Sequence, residues 1–522
     1  MRGACCGIAP SVPAPRMTPR IAGRAFILHP SAFIPPKMRP RLAPLILAVA
    51  ALQACASAGQ SWRAGPAGIP AEQQIRGQLV AGQFGSALES LKDKKIAPAD
   101  ALLRHLYKGV VAMHAGQNEL GTRALDRAWQ ISYDRYTKRL GDGAQAMLTG
   151  DGALPYDVGP AERLMIPYYG GLNWLARNER DETAVEARRM ATLLASDADN
   201  NPNARYMGVM RYVSGVMFEV AGERNDAEVA YRNAAALLEG RLPGDTLPPD
   251  AAHGDVVVLI EDGFVARPEP EALSFWIAED EVALLDNDDY VQRMTAWRRV
   301  DARRGIDRNW EAERYRNVNL RWPVMRDVNP EAGSGVLGAR ATVDSLQVVA
   351  DAIGVSISDA VRADFDRAQP GRLSRAIGRA AVRDVSARAA GGAFDAAGDV
   401  LNGDDDDEGG KGGKGSSKDE DEKGGKGAAV AVGLILAGIG LLAIHVGSQV
   451  LDQPDLRAWQ LLPDRVTVAR MRLPVGEHVV EVTRDGEAYS LGTVTVRPGQ
   501  VTVLVHRWWP NGQPLVANAP QE

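Results

Sequence analysis

The feature that most limits the folds open to this chain is a recurring spacing of small residues between positions 70 and 240. Ala81-Gly82-Gln83-Phe84, with Ala87 behind it, returns as Ala115-Gly116-Gln117 with Gly121, and the two leading glycines stand 34 residues apart. Another copy comes as Gly215, Phe218, Gly222, Ala227, Tyr231 and Ala234. Such a period in an Ala-, Leu- and Arg-rich stretch predicts helical hairpins stacked on one another, because a single hairpin has no partner for its apolar face. Gly215 lets two helices approach, Gly222 ends the first of them, and Ala227 sits where the pair crosses. Phe218 and Tyr231 fill the space left over. A degenerate copy runs from Tyr168-Tyr169-Gly170-Gly171-Leu172-Asn173-Trp174-Leu175 through Asp181 to Val185-Glu186-Ala187-Arg188-Arg189, with Asn178 in the turn. Loop-rich insertions at 141–160 and 197–204 separate the copies, and four hairpins are expected over 70–245.

The spacing around Gly215 resembles that of tetratricopeptide repeats. The Tyr-Tyr-x-x-Leu-Asn-x-Leu and Val-Glu-Ala-Arg-Arg strings also resemble a family of uncharacterised bacterial lipoproteins that carry such repeats, with Gly254–Gly263 and Leu456–Pro463 as later landmarks. The resemblance implies an α-solenoid with a concave face and implies no activity. The chain departs from that family in a long acidic and glycine-rich insert.

A second signal lies upstream. Leu52-Gln53-Ala54-Cys55 follows a basic start, Met38-Arg39-Pro40-Arg41, and an apolar run from Leu42 to Leu52 that is too short to span a bilayer. The string resembles a lipobox, which implies diacylglyceryl on Cys55 and a membrane anchor made of covalent lipid. On this reading 38–54 is a signal peptide, 1–37 is an upstream extension of the reading frame, and 55–69 is a linker. Starting at Met38 leaves Cys55 as the only cysteine, which suits an oxidising compartment. Ala56 and Ser57 in place of aspartate resemble the class sorted to the outer membrane, facing the periplasm.

Past the repeats the composition shifts toward Val and Thr. Val256–Ile260 reads as a strand closed by Glu261-Asp262-Gly263, and Arg316–Val324 as a second, with Pro323 favouring an edge. Helices are expected over 341–353 and 373–396, giving a small α+β cap at 246–400. Residues 401–427, with Asp404–Glu408 and Asp419–Glu422, predict a solvated tether. Calcium is the sharper reading of the aspartates, but consecutive residues cannot all turn inward. Residues 428–449 form a Gly-rich apolar segment, either a buried helix or a candidate membrane span. A span would put Lys423 and Lys426 on the wrong side if Cys55 is exported. Alternating valines from Val466 to Val505, with turns at Pro474–Gly476, Arg484–Gly486 and Arg497–Gly499, predict an antiparallel β-sandwich at 450–512. Leu473–His478 resembles small envelope β modules with a Pro-Glu-Gly-Ala signature, and Trp459, Trp508 and Trp509 are expected to close its core. The fold class is therefore α+β multidomain.

A net charge of −6 spread over 522 residues excludes a basic nucleic-acid surface. No Walker loop, Gly-x-Ser-x-Gly or zinc helix is present. His105 and His114 are nine apart, a spacing of local polar packing rather than metal binding. With no cofactor or metal indicated, the expected function is a lipid-anchored envelope scaffold that binds a protein or peptide partner. Its groove contacts would be Tyr168, Tyr169, Asn173, Trp174, Glu186, Arg188 and Arg189. The competing readings are a single-pass membrane protein with cytoplasmic repeats and an envelope hydrolase.

Overall fold

Left-handed backbone marks the turn of each helical hairpin: φ is +69° at Gly82, +69° at Gly116, +57° at Asn178 and +85° at Gly222. The computed structural model describes residues 71–92, 98–138, 154–196, 203–278, 315–328, 337–373, 454–509 and 515–517. Cys55, the segments expected over 1–69 and 401–449, and nearly all of the helix expected over 373–396 lie outside them. Among the described residues no helix is long and apolar enough to cross a membrane.

The helices pair in order: α1 (Ala71–Val80) with α2 (Phe84–Ser90), α3 (Ala101–His114) with α4 (Asn118–Lys138), α5 (Pro160–Ala176) with α6 (Arg180–Ser196), and α7 (Ala204–Ala221) with α8 (Arg224–Leu237). The last pair shows how the local sequence produces the turn. Asn203 caps α7 by accepting from the Tyr206 amide at 3.0 Å. Gly222 ends the helix in a conformation that costs a side chain about 1–2 kcal/mol, and the Glu223 amide returns to the Phe218 carbonyl. A Cβ on Gly215 would stand 2.6 Å from the Tyr231 ring, so the α7–α8 crossing requires glycine. Helices α3, α5 and α7 are buried on nearly every side. Such all-round burial places them between the outer helices and a second layer.

That layer is a five-stranded sheet in the order β11-β10-β1-β7-β6, where β1 is His253–Asp262, β6 Asp351–Ser356, β7 Arg465–Pro474, β10 Val501–Trp508 and β11 Leu515–Ala517. The unbroken Val256-Val257-Val258-Leu259-Ile260 run makes sense at its centre, where both faces are covered. Val257 and Leu259 pack toward the helices, while Val256, Val258 and Ile260 join a separate core with a four-stranded sheet. The second sheet has the order β5-β4-β8-β9, with β4 at Leu337–Val343, β5 at Leu346–Val349, β8 at Gly476–Arg484 and β9 at Glu487–Val496. The result is mixed α and β structure in three layers: helices, central sheet, outer sheet. A separate ribbon joins β2 (Arg267–Ala278) to β3 (Tyr315–Arg326), with Pro270 opposite Pro323.

Two expectations are corrected here. Residues 341–353 are not a helix but the end of β4, β5 and the start of β6. Asp344 and Ser345, at φ +47° and +71°, form the hairpin turn, and the Val-rich alternation around them outweighs the alanines. The C-terminal strands are also not a self-contained antiparallel module. Strands β7 and β10 flank β1, with β10 parallel to it from Asp255 opposite Val501 to Asp262 opposite Trp508. Strands β8 and β9 belong to the outer sheet with β4. The chain changes sheets at Val475, so the cap and the C-terminal strands share one pair of sheets. Trp459 and Trp509 do not close a core between the two sheets as expected but are buried on the helical side, while Trp508 is half-buried at the inter-sheet core against Tyr489 and His506.

Candidate functional site

The inner face of the helical layer, where a solenoid would receive a partner, is filled by the chain's own C-terminal part. Tyr169 is buried, with its hydroxyl donating to Glu261 Oε2 at 3.1 Å. Arg507 reaches the same oxygen at 2.9 Å and donates to the Gly263 carbonyl at 2.6 Å. Tyr168 lies edge-on to Tyr169 at 5.1 Å between ring centres, and Trp459 covers the other side of Tyr169. The loop before β7 is latched as well. Tyr107 donates to the Ala458 carbonyl and accepts from the Gln460 amide, while Glu162 accepts from the Trp459 amide. Burial pushes the Glu162 carboxyl above its ordinary range, partly offset by the amides of Gly159 and Trp459.

The seven expected contact residues therefore divide. Tyr168, Tyr169 and Asn173 are interior, the two tyrosines against Glu261 of the central sheet and Asn173 against Gly121 of α4. Asn173 donates to the Tyr169 carbonyl at 2.9 Å, and Gly121 leaves room for its amide. Trp174 is half-buried beneath Arg177 at 4.5 Å. Glu186 is buried yet paired with Arg189 at 2.6 Å, and burial pushes its carboxyl up to about 8 despite that guanidinium. Arg189 also holds Asp126 and lies over Trp129. Arg188 is exposed and bonded to Glu223 of the α7–α8 turn. These residues sit on two sides of the helical layer, so they do not form one surface.

Charge is concentrated at the helix–sheet seam. Arg470 of β7, 1 % exposed, bonds Asp255 of β1 together with Glu219 and Tyr231 of the last helical pair. Arg457 bonds Asp455 and Asp100. His114 is not in the local polar packing expected of it. It abuts Trp509 at 5.1 Å and Phe84, and burial, with Arg507 nearby, lowers its pKa to about 3. Among the described residues no cluster of three or more His, Cys, Asp or Glu could hold a metal.

Two openings lie among the described residues. One, of about 590 Å³, lies along α8 and is lined by Val220, Leu242, Leu247, Pro248 and Val501 together with Arg180, Arg224, Arg232, Glu219 and Glu228. The other, of about 510 Å³, lies beside α1 and is lined by Gln73, Arg76, Gly77, Val80, Ala81, Phe264 and Arg267. Neither was legible in the sequence, since each joins residues more than 180 positions apart with no motif between them. Compared with known proteins, the chain matches no family model, no curated protein and no solved structure.

Proposed function

We propose that this protein is a lipid-anchored scaffold of the cell envelope. Cys55 carries the diacylglyceryl anchor, at the outer membrane facing the periplasm, and an α-solenoid of tetratricopeptide-like repeats presents a non-catalytic docking surface. The observation that carries the reading is the groove along α8. Its lining joins apolar Val220, Leu242, Pro248 and Val501 to three arginines and two glutamates, Glu219 and Glu228, and Leu247 is left 69 % exposed. An exposed groove with apolar lining and charged residues of both signs, arginine in excess, suits a peptide with apolar anchors and charged flanks. The inner helical face already holds the chain's own strands, and the groove lies at the edge of that contact, between α8 and the turn before β10. The buried guanidinium and carboxylate groups of the seam are bonded to each other, which favours a fixed scaffold over a reactive centre.

The test combines anchor and surface. Metabolic labelling with a clickable palmitate analogue should mark the wild type and not Cys55→Ala. A photo-crosslinking residue at Leu247 should give a discrete adduct in cells that Arg232→Glu abolishes. Absence of label in the wild type overturns the anchor, and an adduct indifferent to Arg232→Glu overturns the groove.

A further inference from the structure

Three buried arginines of this fold each come with a carboxylate: Arg507 with Glu261, Arg470 with Asp255 and Glu219, Arg457 with Asp100 and Asp455. Arg76 on α1, half-buried, differs from these three. Its guanidinium lies 4.4 Å from the centre of the Phe264 ring, and its Nε is buried with no hydrogen-bond partner. Among the described residues it forms no ion pair. It lines the opening of about 510 Å³ together with Arg267, whose guanidinium is tied to Glu269 at 2.9 Å. The wall is otherwise apolar, from Val80, Ala81 and Phe264, with the exposed Gln73 amide at its edge.

We propose that this opening is a carboxylate-binding site and that its ligand is the C-terminal carboxylate of a peptide whose last side chain is apolar. The reading goes beyond the scaffold function and does not use the groove along α8. A guanidinium presents a planar fork of donors that matches the two oxygens of a carboxylate. Phe264 holds one face of the Arg76 fork and leaves its edge for the ligand. Burial, then the like charges of Arg267 and Arg507, lowers the Arg76 pKa to about 10, so a bound anion relieves a cation that the fold leaves uncompensated. The volume exceeds what a small inorganic anion fills and falls in the range of sites for larger ligands. Val80 and Ala81 supply a surface for the last side chain, and the Gln73 amide offers a donor and an acceptor to the last peptide unit. A fatty acid has no use for Gln73.

The experiment uses the full chain purified in detergent. Phenylglyoxal reacts with neutral guanidine, so Arg76 is labelled ahead of ordinary arginines, and peptide mapping by mass spectrometry reads its rate. N-acetyl-valyl-leucine is expected to slow labelling of Arg76 at least fivefold, and its C-terminal amide to leave the rate unchanged. Direct binding of the same dipeptide, followed by saturation-transfer NMR, should vanish in Arg76→Gln and weaken several-fold in Arg267→Gln, with the circular dichroism of both variants unchanged. Equal protection by the amide overturns the carboxylate, and equal or better protection by hexanoate overturns the peptide. Better protection by inorganic phosphate, or protection by none of the four, overturns the site. None of these outcomes bears on the label at Cys55 or the adduct at Leu247.

Discussion

Arg507 Nη1 stands 2.9 Å from Glu261 Oε2, and solvent reaches neither side chain. Arg507 comes from β10 and Glu261 from β1, neighbouring parallel strands, and both meet Tyr169 of α5. One ion pair thus joins the C-terminal strand, the central strand and the helical layer. Removing one partner of a buried pair leaves an uncompensated charge at a cost of about 3–5 kcal/mol. Glu261→Leu should lose that much stability in urea unfolding, whereas Glu261→Leu combined with Arg507→Met should recover most of it. A single variant within 1 kcal/mol of wild type would refute the assignment.

Arg470 and Arg472 sit two residues apart on β7 and both bond Asp255, yet they should differ sharply. Arg470 is interior and also holds Glu219, whereas the Arg472 side chain is 29 % exposed and bonds Asp245 at the surface. Arg470→Met should cost about 3–5 kcal/mol, and Arg472→Met about 1 kcal/mol or less. Equal losses in thermal unfolding would mean that the seam is not organised around Arg470.

His506 is buried, with both ring nitrogens lacking hydrogen bonds, and packs against Tyr489 and Trp508. Burial lowers its pKa from 6.5 to about 4. Above 6.5 the ring is neutral whether the chain is folded or unfolded. Between 6.5 and 4 only the unfolded chain takes up the proton, so this group withdraws stability as pH falls through that window. His506→Phe should flatten the decline in melting temperature over the window, and an unchanged slope would count against the burial described.

Glu186 gives the opposite sign. Its carboxyl rises from 4.5 to about 8, so the folded chain retains a proton that the unfolded chain releases, and stability falls as pH climbs from 4.5 to 8. Glu186→Gln should be close to wild type near pH 5 and gain on it steadily toward pH 8. A gain that shrinks over that interval would show the Arg189 pair prevailing over burial.

Gly215→Val tests the helix crossing. Replacing a helical glycine with a residue of better helix propensity gains a few tenths of a kcal/mol, but overpacking a tight contact costs about 1–3 kcal/mol. Because the new Cβ would meet the Tyr231 ring at 2.6 Å, net destabilisation is expected in urea unfolding. Gly215→Val with Tyr231→Leu should be less destabilised than additivity allows.

Features that a short stretch of backbone decides are legible in neighbouring residues. Gly82, Gly116, Asn178 and Gly222 announce helix ends because left-handed φ is affordable to few residues, and alternating valines announce strands because side chains alternate across a sheet. The β4–β5 turn was hidden only because Ala-rich flanks carry a helical pattern. Tertiary structure alone decided which strands pair, since ladder hydrogen bonds are the same for any residue, and β1 accepts β10 and β7 through complementary packing. It also decided that Tyr168 and Tyr169 face the chain's own sheet. Arg470 and Asp255, 215 positions apart, meet for the same reason, and among the described residues no carboxylate pairs with Arg76. Local conformation is written in neighbouring residues; the partner of a buried charge is chosen by what folding brings near it.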